Sequence, residues 1–255
     1  MKGTGAELAV ADGVRLEYRR WPGRGRPVLL LHEALGSFST WRDFPGRLAA
    51  ATGREVVAWS RAGHGSSDPA PAGFRPDYLH READLLPAVM AALGIGSAHL
   101  FGHSDGASIA LIAAARHPGK VAGLILEAPH VHVEERAIEG VAAMARGYGA
   151  TGLRQKLARH HADGDRVFRR WSETWLDPHF RDWSIEPLLF AIRAPVLLIQ
   201  GLEDEYGTLD QLDRIAAALP GCRRLELPHC GHSPHREQPE AVLAAARAFL
   251  AEAER

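Results

Sequence analysis

The sequence predicts an α/β protein built on a mainly parallel eight-stranded sheet with helices on both faces. Three observations carry that reading. Short apolar runs alternate with helix-length stretches along most of the chain. Runs such as Val28–His32 are apolar almost without interruption, as strands covered on both faces must be. The 255 residues, 46% of them apolar, suffice for the core that one large domain of this kind needs.

The elements follow in order. Glu7–Ala11 and Val14–Arg19 read as an antiparallel edge pair turning through Asp12-Gly13. Further strands are expected at Val28–His32, Glu55–Ser60, Ala98–His103, Val121–Glu127, Val196–Gly201 and Arg223–Leu227. Helices are expected near 40–52, 78–93, 105–117, 208–219 and 237–253. Pro69-Ala70-Pro71-Ala72-Gly73 reads as an exposed loop.

One segment departs from the alternation. From Pro129 to Arg193 there is no convincing strand, but there are helical stretches with Tyr148, Phe168, Trp171, Trp175, Phe180 and Trp183. These rings either form the small core of an inserted helical subdomain or wall an apolar pocket above the sheet. The expected division is a core of residues 1–128 and 194–255 with an insertion at 129–193.

Charge and cysteine usage narrow the function. A formal net charge of −1, with basic residues scattered in pairs such as Arg169-Arg170, speaks against a nucleic-acid or membrane-surface partner. No apolar run approaches the roughly 20 residues that span a bilayer. The opening residues lack the apolar stretch of a secretory signal, so a cytoplasmic location is expected. Two cysteines, Cys222 and Cys230, make no disulfide scaffold.

The most informative stretch is Gly102-His103-Ser104-Asp105-Gly106, a G-x-S-x-G pattern directly after the Ala98–His103 strand and before a small-residue helix. Such a tight strand-to-helix turn pushes the serine hydroxyl out of the backbone, and flanking glycines let neighbouring backbone pass. A glycine-flanked helix N-cap would use the same residues, since serine caps well. Partners downstream favour chemistry. A serine nucleophile needs a base, an acid to orient the base, and donors for the developing oxyanion.

His232, in the Gly-flanked loop after the last strand, is the candidate base. His229 and His235 flank it at three-residue spacing, but no carboxylate or paired-cysteine cluster accompanies them, so no metal is expected. Glu203, Asp204 and Glu205 follow the Val196–Gly201 strand, and position favours Asp204 as the orienting acid. The oxyanion donors are expected to be backbone N–H groups. One belongs to Asp105, after the nucleophile at a helix N-terminus; the other, in the loop after Val28–His32, to Ala34.

With these residues the chain resembles the α/β-hydrolase fold, whose Ser…Asp…His order it shares. The Leu-Leu-Leu-His start of the oxyanion loop, the Arg61–Ser66 segment and the Gln238-Pro-Glu of the last helix are also family-like. The resemblance covers nearly the whole chain and places 129–193 where that family carries its variable cap. It implies a serine hydrolase that cleaves a carboxylic ester, thioester or lactone through an acyl-enzyme, with a small-molecule acyl substrate and no cofactor. Ser104 argues against family members that use aspartate at this turn. Carbon–carbon hydrolysis of a ring-cleavage dienoate is the alternative, with Arg136, Arg146, Arg154 and Arg193 available to hold a carboxylate. A ligand receptor on the same fold and a homodimer also stay open.

Departures from the pattern matter too. Glu33 stands where the family usually has glycine, Asp105 where an apolar residue is common, and Ser60 where aspartate is common. Two ionised carboxylates aimed at a developing oxyanion would oppose catalysis. Either they are engaged elsewhere, Glu33 with His32 or His103, or one binds a polar or cationic part of the substrate. Glu33, His103, His130, Trp171 and Trp175 are the candidate substrate contacts.

Overall fold

The computed structural model describes residues 3–70 and 76–253. Its sheet has eight strands: β1 (Glu7–Ala11), β2 (Val14–Trp21), β3 (Val28–Leu31), β4 (Val56–Trp59), β5 (Ala98–His103), β6 (Val121–Glu127), β7 (Val196–Gly201) and β8 (Arg223–Leu227). Their spatial order is β1-β2-β4-β3-β5-β6-β7-β8. β1–β2 and β2–β4 pair antiparallel, and every other pair is parallel.

Alternate residues of the central strands feed two cores. Leu29, Leu31 and Leu100 belong to the core on one face, and Val28, Leu30 and Phe101 to the core on the other. This period of two explains why those strands are apolar throughout. Helix α1 (Phe44–Thr52) packs on the second face, while α2 (Tyr78–Ala92) and α3 (Asp105–Arg116) cover the first.

Four helices lie between β6 and β7: α4 (Glu135–Gly147), α5 (Leu153–Ala158), α6 (Gly164–Leu176) and α7 (Glu186–Leu189). Helix α8 (Asp210–Ala218) follows β7, and α9 (Pro234–Glu237) and α10 (Pro239–Glu252) end the chain. No helix among the described residues is long and apolar enough to cross a membrane.

Some boundaries differ from expectation for identifiable reasons. The helix expected from 40 starts at Phe44, because Phe38–Trp41 winds as a 3-10 turn ending at Arg42, whose φ of 55° breaks the helix. The last helix divides at Gln238, whose non-helical backbone (φ −133°, ψ 57°) precedes Pro239. In the expected loop, Pro69 is exposed but Ala70 is buried in the core; Pro71, Ala72 and Gly73 lie outside the described residues. Of the aromatics after Pro129, Trp175, Phe180 and Trp183 join the large core on the α3 face instead of forming a core of their own. Tyr148 and Phe168 stack on each other at 3.8 Å.

Candidate active site

Chain order and sheet order diverge at β3, which has β4 on one side and β5 on the other. Crevices form at the carboxyl ends of strands at such a switch point. The turn after β5 and the loop after β3 therefore lie side by side, with Leu31 paired to Gly102. Glycines permit the closeness. A Cβ on Gly102 would collide with backbone of Gly106 and Ala107, and one on Gly106 with the Leu31 carbonyl.

Ser104 sits on this turn with φ 54° and ψ −118°, a strained conformation for a residue with a Cβ. It precedes α3, yet its side chain makes no capping bond. The hydroxyl instead donates to His232 Nε2 at 3.0 Å. His232 Nδ1–H in turn donates to Asp204, 2.8 Å from Oδ2. This bond assigns the tautomer that leaves Nε2 free to accept. Ser104, His232 and Asp204 thus form one hydrogen-bonded row, although they come from the loops after β5, β8 and β7.

The competing acids are separated from it. Glu203 is exposed and faces His229 at 3.2 Å, and Glu205 is exposed. Asp204 is buried and saturated with donors: Gln200 Nε2 at 2.7 Å and the Tyr206 and Gly207 amides at 2.8 and 3.2 Å. Burial works against its charge, but His232 and then the Tyr206 amide outweigh it and hold its pKa at about 2. Burial likewise opposes an imidazolium at His232, and the Asp204 charge and hydrogen bond overcome it, raising the pKa.

The Ala34 and Asp105 amides donate to no protein acceptor among the described residues. His64 Nε2 donates to the Ala34 carbonyl and His161 Nε2 to the Leu35 carbonyl, both at 3.0 Å. These bonds fix the loop after β3, His161 doing so from the helical insertion.

A cavity of about 390 Å³ opens over Ser104 and His232. Of the candidate substrate contacts, Glu33, His130, Trp171 and Trp175 line it. His103 does not: it is buried behind His232, donating from Nε2 to the His232 carbonyl at 2.7 Å. Burial pushes its pKa down, against the pull of Glu33. His130 is held neutral, its pKa lowered to about 4 by burial and then by His232.

The two unusual acids have distinct surroundings. Asp105 turns its side chain away from the main cavity, accepting from the Tyr78 hydroxyl at 2.7 Å, with Arg61 3.9 Å away. Tyr78 in turn accepts from Trp175 Nε1 at 3.0 Å. Glu33 borders the main cavity beside Arg236 at 3.4 Å and His103 Nδ1 at 3.7 Å. Burial opposes its charge, but His103 and Arg236 hold its pKa well below the usual carboxylate range.

The four arginines put forward for a carboxylate contact, Arg136, Arg146, Arg154 and Arg193, do not line the cavity. Arg154 is bound to Asp165, and Arg193 to the Phe190 carbonyl. Arg42, Lys156, Arg159 and Arg236 line it instead. Sequence reading passed over these four, since charged residues in an exposed stretch look like any solvated face. It also missed Tyr206, whose ring packs edge-on against His232 at 4.8 Å and whose place two residues after Asp204 was a usable signal.

Residues 28–246 match the model of the alpha/beta hydrolase family. The chain belongs to the alpha/beta hydrolase family. Among its relatives is the human serine hydrolase BPHL, 30% identical over 243 residues, covering 91% of this chain and 81% of that protein. This alpha/beta hydrolase is also 25% identical to 2-hydroxy-6-oxo-6-phenylhexa-2,4-dienoate hydrolase of Burkholderia cepacia, over 90% of this chain and 89% of that one. In fold it resembles the enol-lactonase of Burkholderia xenovorans LB400, with a TM-score of 0.77, 23% identity, and coverage of 96% and 100% of the two chains.

Proposed function

We propose that this alpha/beta hydrolase is a serine hydrolase that cleaves a carboxylic ester, thioester or lactone through an acyl-enzyme. The observation that carries the reading is the row from Ser104 Oγ to His232 to buried Asp204 on the floor of a cavity. In the reaction Ser104 Oγ attacks the carbonyl carbon while His232 Nε2 takes its proton. Asp204 keeps the imidazole oriented and stabilises the imidazolium. The Ala34 and Asp105 amides donate to the oxyanion, and the positive end of α3 adds to them. Collapse of the intermediate expels the alcohol, thiol or ring oxygen, which receives the His232 proton. A water then repeats the cycle on the acyl-enzyme, and Ser104 is regenerated.

The helical insertion serves as the cap, placing Trp171 and Trp175 over the acyl group. Glu33 does not oppose the oxyanion, because Arg236 balances its charge, and Asp105 is engaged by Tyr78. The Burkholderia cepacia relative supports carbon–carbon hydrolysis of a dienoate as a second reading. A panel of acyl esters, acyl-CoA thioesters, lactones and ring-cleavage dienoates, with wild type and Ser104→Ala, decides. Turnover of an oxygen or thioester class, lost in Ser104→Ala, supports the first reading; turnover of dienoates alone supports the second.

A further inference from the structure

The charges around the cavity do not balance. Among the described residues, Glu33 is the single acidic one lining it, against Arg42, Lys156, Arg159 and Arg236. Arg236 is occupied: it faces Glu33 and donates to the Thr40 carbonyl at 3.1 Å. The side chains of the other three have no hydrogen-bond or ion-pair partner among the described residues. All three are exposed, so they stand where the cavity meets solvent.

They reach that place from two distant parts of the chain, which meet where Ser39 bonds His160 at 2.8 Å. Arg42 follows the 3-10 turn beyond the oxyanion loop, whereas Lys156 and Arg159 are on and just after α5 of the insertion. Arg42 has φ 55° and ψ −120°, a conformation that glycine would adopt at lower cost. The guanidiniums act on a common neighbour, His160, which also lines the cavity. Burial lowers its pKa most, and Arg236, Arg42 and Arg159 lower it further against the pull of Glu33.

We propose that Arg42, Lys156 and Arg159 form an anion subsite at the cavity mouth, selecting acyl substrates that carry a carboxylate or phosphate distal to the scissile carbonyl. An unpaired cation beside a partly enclosed cavity gains a partner when an anion enters, at little desolvation cost. The apolar lining between (Val141, Met144, Leu157, Trp171) suits a short hydrocarbon spacer between anion and ester. The inference rests on the reading of Ser104 as nucleophile for its chemistry, but not for its binding.

The test compares the p-nitrophenyl half-ester of glutarate, its phosphonate counterpart and neutral p-nitrophenyl pentanoate. It reads kcat/KM on wild type and, in parallel, calorimetric affinity of Ser104→Ala for the corresponding methyl esters. The expected result is a preference of about 10-fold for an anionic ester at low salt, shrinking towards parity near 0.5 M salt. The ratio should also fall towards one in Arg42→Gln/Lys156→Gln/Arg159→Gln, and partway in Lys156→Gln/Arg159→Gln, which leaves the strained Arg42 backbone alone. The carboxylate and phosphonate arms show which anion the subsite prefers. Turnover of all esters at equal efficiency, or a preference that survives the triple substitution, overturns the subsite and leaves the serine-hydrolase reading standing. Tighter anion binding to Ser104→Ala with no turnover of any ester by wild type would do the reverse.

Discussion

Gly106 is packed so tightly beneath Leu31 that a single added methyl group would overlap the Leu31 carbonyl oxygen. This contact ties the turn carrying Ser104 to the strand that leads into the Ala34 loop, and so sets the distance between Ser104 and Ala34. Gly106→Ala should cost about 3 kcal/mol or more, because the obstacle is backbone and cannot rotate away. Urea denaturation of the purified variant measures it; a loss within about 0.5 kcal/mol would show that the turn has slack.

Ser104 holds a positive φ against the preference of a residue with a Cβ. Glycine relieves that cost. Ser104→Gly should therefore raise stability by about 1 kcal/mol while abolishing turnover, since the strain is kept for the hydroxyl's position. Thermal and urea unfolding of Ser104→Gly beside Ser104→Ala separates backbone strain from loss of the hydroxyl.

Asp204 and His232 make a prediction about pH. The proposed reaction needs neutral His232, whose pKa is raised by Asp204 against the opposing effect of burial. Activity should be lost as pH falls through that raised value, placing the acid limb of kcat/KM above about 6.5. Asp204→Asn removes the raising influence and leaves burial unopposed, so the limb should move to lower pH. The same substitution should reduce kcat by about 10^4-fold, because the tautomer is no longer enforced. A pH–rate profile of both proteins reads the two effects together.

Glu127, at the end of β6, contacts His235 Nδ1 at 2.6 Å, and both side chains are fully buried. Burial raises Glu127 to about 8 and lowers His235 to about 3, so the carboxylic acid donates to a neutral imidazole. A raised carboxyl pKa costs stability above the unfolded value, and the cost grows as pH rises from about 4.5 to about 8. Glu127→Gln keeps a donor towards His235 and removes the titration. The variant should lose less stability than wild type between pH 5 and 8, by on the order of 1–3 kcal/mol. Urea midpoints across that range check the sign.

Much of this architecture was legible in the chain. The strands expected at Ala98–His103, Val121–Glu127 and Val196–Gly201 have the observed bounds, because buried parallel strands announce themselves as apolar runs between turn residues; Arg223–Leu227, a largely exposed edge strand, has its expected bounds too. Ser104, His232 and Asp204 could be proposed because each follows a readable strand. Side-chain direction was not readable. His103 and His130 are both buried histidines, and only packing sends one behind His232 and the other into the cavity. Helices of the insertion carry no strand register to anchor them, so neither the merging of Phe180 and Trp183 into the main core nor the placing of Lys156 and Arg159 at the mouth had a linear signal.

Labelling with a fluorophosphonate, followed by peptide mapping, probes most directly whether three distant loops build a working nucleophile. The account predicts one adduct, on Ser104, formed quickly by wild type and at least about 10^3-fold more slowly by His232→Ala. An adduct on another residue, or labelling of Ser104 at the same rate without the imidazole, would contradict it.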